Sequence, residues 1–169
     1  MSIFSPLWGV IQIFPPFNRP GVNHMNRIIY KSLVILSLLG VIAIARVVRA
    51  AELGDLKAQL ADVRGALVAM LDEKDKEKQE ELHAKIKKLT KEIDELLPAL
   101  IAKEKGAEAK GKLGELKETW EAFRNTRDTQ IIPAIYAGKV EESKAIAGGI
   151  QKERFKKMSS IVDELIGKK

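Results

Sequence analysis

Apolar residues recur at alternating spacings of three and four along four long segments of this chain, and that pattern limits the fold more than any other feature. In residues 52–72 they are Leu53, Leu56, Leu60, Val63, Leu67 and Met70. Residues 75–104 follow the same rule, and residues 113–137 and 139–167 follow it less regularly. Such spacing gives a helix one apolar stripe that packs against other helices. We therefore predict an all-α fold, an antiparallel up-down four-helix bundle.

Proline and glycine mark the expected interruptions of these helices. Pro98 lies inside the second segment and predicts a kink or an early end there. Residues 103–112 contain two glycines and no large apolar side chain, so we expect the connection to the third helix here. Pro133 predicts a bend in the third helix, and Gly138 is placed to cap its C-terminus. The glycines of "AGGI", residues 147–150, predict a weak point in the fourth helix.

An uninterrupted apolar run over residues 32–45 follows two basic residues, Arg27 and Lys31. Fourteen helical residues extend about 21 Å, which is less than the hydrocarbon core of about 30 Å. We interpret residues 25–51 as a cleaved signal peptide or, if basic side chains snorkel, as a retained single-pass membrane anchor. A buried core helix is the third alternative. The first two export residues 52–169, which places them in the periplasm, soluble or anchored to the inner membrane.

The first 24 residues are rich in proline and poorly periodic, unlike an ordinary leader. Translation from Met25 would give a conventional signal sequence. We therefore interpret residues 1–24 as an over-extended start or as a genuine flexible extension.

The net charge of +6 does not indicate a nucleic-acid partner. Five of the 29 basic residues lie in the leader, and the rest nearly balance the 23 acidic residues, all at or after Glu52. No concentrated basic face results, so we predict no binding to nucleic acid. The chain has no cysteine and no Ser-His-Asp, Glu-x-x-His or HExxH pattern. We predict no catalytic residues, no metal site and no enzymatic activity.

Arginine is rare after residue 50, where it occurs at four positions: Arg64, Arg124, Arg127 and Arg154. All four lie on or near predicted packing faces, and Arg127 interrupts the apolar stripe one turn after Trp120 and Phe123. Arginine suits bidentate recognition of carboxylates, whereas lysine covers solvated surfaces. These residues predict a site for a small anion formed by Arg64, Trp120, Phe123, Arg124, Arg127 and Arg154.

Two other interpretations of these residues stay open. A buried guanidinium needs an anionic partner, and internal salt bridges could use Asp62, Asp128 or Glu153. The aromatic residues could simply belong to the core. Haem is unsupported: "AGKVEES" resembles part of the small four-helix b-type cytochromes, and Met158 stands near the place of their histidine, but no opposing ligand is present. We predict no cofactor, and we expect His83 to be solvated.

The stretch "WEAFRNTRDTQIIPAIYAGKVEESKAIAGGIQKERFKKMSSIVDELI", residues 120–166, resembles the C-terminal half of the sensor domain of methyl-accepting chemotaxis receptors and related sensor kinases, a four-helix bundle. The residues that match its pattern are Trp120, Phe123, Arg124, Arg127, Pro133, Gly138, Glu141 and Glu142, while Ser143 replaces a commoner alanine. Residues 60–97 also look like the first two helices of that domain. The resemblance covers about residues 30 to 167.

This resemblance implies a sensor-like bundle that binds a small organic anion or a membrane-receptor or kinase partner in chemotaxis or signal transduction, often as a homodimer. Such receptors continue into a second membrane helix and a cytoplasmic coiled coil, whereas this chain ends at "GKK". We therefore expect a stand-alone exported bundle or a receptor fragment, in contact with the membrane through residues 32–45 if the leader is retained. The alternative is a structural or chaperone-like periplasmic helical protein without a small-molecule ligand.

Overall fold

The computed structural model describes the backbone of residues 24–167 and the side chains of residues 47–167. The chain divides into two units, residues 1–44 and residues 45–169, and the bundle described below belongs to the second. Among the described residues, no helix combines the length and the apolarity that crossing a bilayer requires.

Two predictions concern residues that lie wholly or partly outside the described part of the chain. The extension over residues 1–24 lies outside the described residues except for His24, and the side chains of the apolar run at residues 32–45 also lie outside them. The signal-peptide and anchor interpretations of residues 25–51 therefore stay predictions.

The described part of the chain is helical and contains no strand. In chain order its elements are α1 (His24–Asp72), α2 (Lys76–Lys103), α3 (Ala107–Thr126), a π-helical segment (Arg127–Ile131), α4 (Ile132–Tyr136), α5 (Val140–Gly148) and α6 (Ile150–Ile166). The π-helical segment and α4 continue α3, and α5 and α6 together form the fourth arm. A four-helix bundle results, as the apolar spacing predicts.

Helix α2 begins at a side-chain cap and passes through its proline. The carboxylate of Asp75 accepts hydrogen bonds from the backbone N–H groups of Glu77 and Lys78, two donors that the first helical turn leaves free. Pro98 lies inside the helix, which continues to Lys103. The prediction of an early end at Pro98 is therefore wrong. Buried leucines on both sides of the proline hold this turn against the core, because tertiary packing overrides propensity.

Helix α3 begins at Ala107, earlier than its glycines predict. The expected connection over residues 103–112 shrinks to residues 104–106, with Gly106 as the N-cap. Gly111 lies within the helix, and a Cβ there would meet nothing within 4 Å. Alanine, glutamate and lysine surround it, and their high helix propensity offsets the cost of one glycine.

The third arm changes its winding before Pro133. Residues 127–131 are π-helical, and the N–H of Ile132 donates to the carbonyl of Arg127, five residues earlier. Proline has no N–H and its ring crowds the carbonyl four residues before it, so a wider turn relieves a conflict that a regular helix would keep. Gly138 then ends the arm with φ of +72°, a left-handed conformation that favours glycine. The glycine cap is as predicted, and the helix is irregular just before Pro133.

The fourth arm is broken at Gly149. Helix α5 ends at Gly148 and α6 begins at Ile150, so the predicted weak point is an interruption. A Cβ at Gly149 would lie 3.0 Å from the carbonyl oxygen of Ala145, a close approach that only glycine allows without adjustment. Val140 and Ile150, two apolar residues of this segment, are exposed, whereas Gln151 is buried. The break shifts the helical register by about one residue.

Contacts between arms show that neighbouring helices run antiparallel. Lys57 pairs with Asp163, and Asp72, later in α1, pairs with Lys144, earlier in the fourth arm. The two arms therefore run in opposite directions. Contacts between α2 and the third arm, and between α3 and α6, likewise pair early residues of one helix with late residues of the other, so these neighbours are also antiparallel. The core that they enclose contains the stripe residues of α1 together with Ile86, Ile93, Leu97, Leu113, Leu116, Trp120, Phe123, Ile131, Met158 and Val162.

Candidate functional site

Arg127 is the one charged residue among the fully buried side chains of the described bundle. It is 1% exposed, comparable to Trp120 and Phe123 on the preceding turns. Its position at the start of the π-helical segment continues the apolar stripe of α3, as the spacing predicts. A cation at such a position is costly unless anionic or polar groups surround it.

The described residues supply hydrogen-bond acceptors for two of the three nitrogens of the Arg127 guanidinium. Nε donates to Oδ1 of Asp128 at 2.7 Å, and Nη2 donates to Oδ2 of the same carboxylate at 3.1 Å. The guanidinium carbon lies 5.7 Å from the centroid of the Trp120 ring. Nη1 is buried and has no acceptor among the described residues. Arg127 thus holds one carboxylate side-on while a second donor face remains unused.

A groove opens where Arg127 meets α2 and α4. Its volume is about 530 Å³, and it is lined by His83, Lys87, Thr90, Arg127, Asp128, Ile132, Pro133 and Tyr136. We call this the Arg127 groove. Its size lies within the range of about 300–1,000 Å³ typical of small-molecule sites. Two cations, one carboxylate and an apolar wall line it, which is the composition expected for recognition of an anion rather than for packing alone.

His83 and Tyr136 join across the mouth of this groove. Nδ1 of His83 lies 2.9 Å from the Tyr136 hydroxyl, and the ring centroids are 5.7 Å apart. Burial, followed by the charge of Lys87, lowers the pKa of His83 from its ordinary value of 6.5. Burial also raises the pKa of Tyr136, with a smaller contribution from Glu80. Both groups are therefore neutral at pH 7, and the positive charge of the groove comes from Arg127 and Lys87.

The π-helical segment contributes two residues to this groove, Arg127 and Asp128. Asp128 follows Arg127 at the protein surface, where 47% of its side chain is exposed. Ile132 and Pro133 on the next turn form the apolar wall. The same proline that forces the wider turn thus also lines the site.

Arg124, one turn before Arg127, has a carboxylate partner on another helix. It forms a short salt bridge with Asp94 on α2, and Nε1 of Trp120 donates to the other oxygen of that carboxylate at 2.8 Å. Trp120 stacks on Phe123 at 5.9 Å between ring centroids. We call Asp94, Trp120 and Arg124 the Asp94 cluster. A cavity of about 200 Å³ beside it is smaller than a typical ligand site.

Arg154 and Gln151 on α6 bind the backbone of α3. Nη1 of Arg154 donates to the carbonyl of Ala122 at 3.1 Å and to the Thr126 hydroxyl at 2.7 Å. The Gln151 amide donates to the carbonyl of Phe123 at 2.8 Å, and its oxygen accepts from Arg154 at 3.0 Å. These contacts hold the turn before the π-helical segment and leave Arg154 away from the Arg127 groove.

Comparison with known proteins identifies this bundle. Residues 33–169 match the family model described as a four helix bundle sensory module for signal transduction. The chain belongs to this family. No curated protein and no solved structure gives a significant match. The resemblance to receptor sensor domains is thereby confirmed, and the fold around the Arg127 groove is that of a sensory module.

In this sensory module the six residues of the predicted site do not gather in one place. Arg127 and Trp120 are neighbours, but Trp120 and Phe123 are buried core residues. Arg124 lies in the Asp94 cluster, and Arg154 binds α3. The guanidinium of Arg64 lies 4.8 Å from the centroid of the Phe155 ring, on the other side of the bundle. Of the six, only Arg127 lines the groove.

Sequence reasoning missed most of the residues that accompany Arg127. His83, expected to be solvated, is half-buried against Tyr136. Nothing in the sequence distinguishes Lys87 from the other lysines among the twenty after residue 50. Asp128 was named, as a salt-bridge candidate, and it is the partner of Arg127. Asp62 and Glu153 are not. Among the described residues, no group of three histidine, aspartate or glutamate side chains is arranged to hold a metal ion.

Proposed function

We propose that this sensory module is an exported, non-enzymatic receptor bundle that binds a small organic anion in the Arg127 groove. One observation carries the proposal: a buried guanidinium lines a groove and has a donor without a protein acceptor. A solely structural arginine is expected to have its buried donors satisfied, and among the described residues Nη1 of Arg127 is the one buried arginine donor without a partner. Membership of a signal-transduction family supports a sensing role for this site.

The rest of the proposal follows from export and partnership. Residues 25–51 act as a signal peptide or single-pass anchor and place residues 52–169 in the periplasm. The bundle, alone or as a homodimer, passes the ligand-bound state to a membrane receptor or kinase. Its carboxylates are dispersed over solvated faces, which supports binding rather than catalysis.

A thermal-shift screen of the full chain tests the ligand site. The probes are acetate, benzoate, succinate, citrate and inorganic phosphate, applied to the wild type and to Arg127→Lys. At least one anion should raise the Tm of the wild type by several degrees, and Arg127→Lys should lose most of that shift because lysine cannot hold a carboxylate side-on.

Arg124→Lys is the matched control, since it makes the same exchange one turn away at an arginine outside the groove. It should keep the anion-dependent shift. No shift with any anion, or an equal shift in Arg127→Lys, would contradict the proposal.

A structural helical protein without a ligand is the second candidate. It is favoured by the other three arginines, which contact groups of the bundle itself: Arg124 contacts Asp94, Arg154 contacts Thr126 and Arg64 contacts Phe155. In that case Arg127 and Asp128 would be one more internal salt bridge, and no anion in the screen would raise the Tm.

A further inference from the structure

The ligand of the Arg127 groove can be narrowed by its charge, its shape and the role of Asp128. We propose that the groove binds a monocarboxylate with an apolar, ring-sized body, and that Asp128 is a resident competitor that this carboxylate displaces. The inference rests on the proposed function, because it specifies the ligand class of the same site.

The Arg127–Asp128 pair has the geometry of a carboxylate-binding site. Nε and Nη2 hold the two oxygens of Asp128 at 2.7 Å and 3.1 Å, the side-on arrangement in which arginine receives a free carboxylate. The guanidinium is fixed by burial, with 2% of its side chain exposed, whereas 47% of the Asp128 side chain is exposed. Asp128 can therefore turn into solvent and stay hydrated, while Arg127 cannot. The oxygens of an incoming carboxylate then take the vacated positions.

The charge of the lining favours a single negative charge on the ligand. Arg127 and Lys87 are cationic, Asp128 is anionic, and His83 and Tyr136 are neutral at pH 7. Asp128 adjoins Arg127 in the chain whichever way its carboxylate turns, so these charges sum to one positive charge, which one added negative charge neutralises. A dicarboxylate would bring a surplus negative charge, and a zwitterion would add an ammonium beside two cations.

The remaining wall of the groove is largely apolar. Ile132, Pro133 and the rings of His83 and Tyr136 contribute to its lining, and the two rings lie 5.7 Å apart between centroids. A ring or branched chain would bury against these groups with favourable free energy, whereas a short hydroxylated acid would leave them uncovered.

Calorimetric titration of the full chain tests this ligand class with benzoate, L-phenylalanine, succinate and inorganic phosphate. Benzoate should bind most tightly. Phenylalanine carries a similar ring and a carboxylate but adds an ammonium, so it should bind at least about tenfold more weakly. This comparison needs no variant.

Asp128→Asn tests the competitor. Because a half-exposed ion pair contributes only modestly, removing the competing carboxylate should tighten benzoate binding by about twofold to fivefold. Asp62→Asn makes the same change at an exposed aspartate on α1 and should leave the affinity unchanged. If Asp128→Asn weakens or does not change benzoate binding, Asp128 is not a competitor and the inference fails.

The remaining outcomes separate the inference from the proposed function. If succinate, phosphate or phenylalanine binds more tightly than benzoate and depends on Arg127, the ligand class is wrong while the anion site stands. If none of the four probes binds and the broader anion screen is also silent, the proposed function fails as well.

Discussion

Two arginines three residues apart on one helical arm have opposite surroundings. Arg124 forms a salt bridge with Asp94, which also accepts from Trp120, and every member of that cluster has a defined partner. Arg127 is more deeply buried, yet its only carboxylate comes from the next residue and one of its donors has no acceptor. Of the two, only Arg127 has a buried donor that the described residues leave without an acceptor.

The contrast teaches how to separate a structural charge from one kept for a ligand. Burial alone does not do so, because a buried charge can still be paired within the fold. Completeness of hydrogen bonding at the buried donors does, since a buried polar group usually finds its partners within the fold, whereas the free donors of Arg124, 37% exposed, can reach water. The Asp94 cluster joins α2 to α3 and closes on itself, whereas the Arg127 groove remains open toward solvent.

The largest effect is expected from Trp120, which supports both arginines. Trp120→Ala should lower the free energy of unfolding by about 3–5 kcal/mol, because it removes a fully buried ring. Urea unfolding measures the change. Trp120→Phe keeps most of the ring and should cost clearly less. A loss below about 1 kcal/mol for Trp120→Ala would show that the two sites do not share this support.

Removing the carboxylate of the closed cluster should have the next largest effect. Asp94→Ala leaves Nε1 of Trp120 and the Arg124 guanidinium without their acceptor, at a cost of about 1–3 kcal/mol in the free energy of unfolding. Glu95→Ala is the control, since Glu95 is exposed and its only described pair is with Lys91 one turn away. It should change stability by less than about 0.5 kcal/mol. Equal effects would remove the basis for calling the cluster structural.

A change at Gly138 reaches the groove side of the molecule without touching the Asp94 cluster. Gly138 ends α4 at φ of +72°, so Gly138→Ala should destabilise the bundle by about 1 kcal/mol. Gly114→Ala is an opposite control within α3, where a Cβ meets nothing within 4 Å. It should stabilise by about 0.5–1 kcal/mol. Urea unfolding should therefore show opposite signs for the two changes in the free energy of unfolding, a decrease for Gly138→Ala and an increase for Gly114→Ala.

The groove, unlike the Asp94 cluster, should respond to pH near neutrality through His83. Burial, Lys87 and Arg127 lower the pKa of His83 in the folded state, while Asp128 acts in the opposite direction. The unfolded chain therefore takes up this proton first as pH falls below 6.5, and folding loses stability there, while above 6.5 the full stability is present.

His83→Gln, which cannot titrate, provides the comparison for that small effect. Urea unfolding between about pH 7.5 and about pH 5 should show a shallower loss of stability in the variant than in the wild type. A steeper loss in the variant would mean that protonated His83 is stabilised by Asp128 rather than opposed by burial.

Much of this fold could be predicted because its determinants are local. The three-four spacing of α1 and α3 places Leu56, Leu116 and Arg127 on buried faces, and Gly138 and Gly149 mark the two breaks of the second half. Pro98 and Gly111 were misleading, because packing and neighbouring residues of high helix propensity outweigh a single unfavourable residue.

The candidate site could be predicted only at its centre. Arg127 interrupts an apolar stripe, which is visible in the sequence. His83 and Tyr136 are 53 residues apart, and no periodicity signals that they meet. The π-helical winding of residues 127–131 depends on how Pro133 is accommodated in three dimensions, so Pro133 indicates an irregularity in the helix but not its form.

The most direct test of the account replaces each arginine by methionine, which has a similar length and no charge. Arg124→Met should cost about 1 kcal/mol in the free energy of unfolding, because it leaves Asp94 with one partner fewer. Arg127→Met should leave the free energy of unfolding unchanged or raise it, since an apolar side chain suits the buried position and Asp128 is free to remain hydrated. Arg127→Met should also lose stabilisation by benzoate, while Arg124→Met keeps it. Loss of stability in Arg127→Met beyond that of Arg124→Met, or an undiminished benzoate response, would contradict the account.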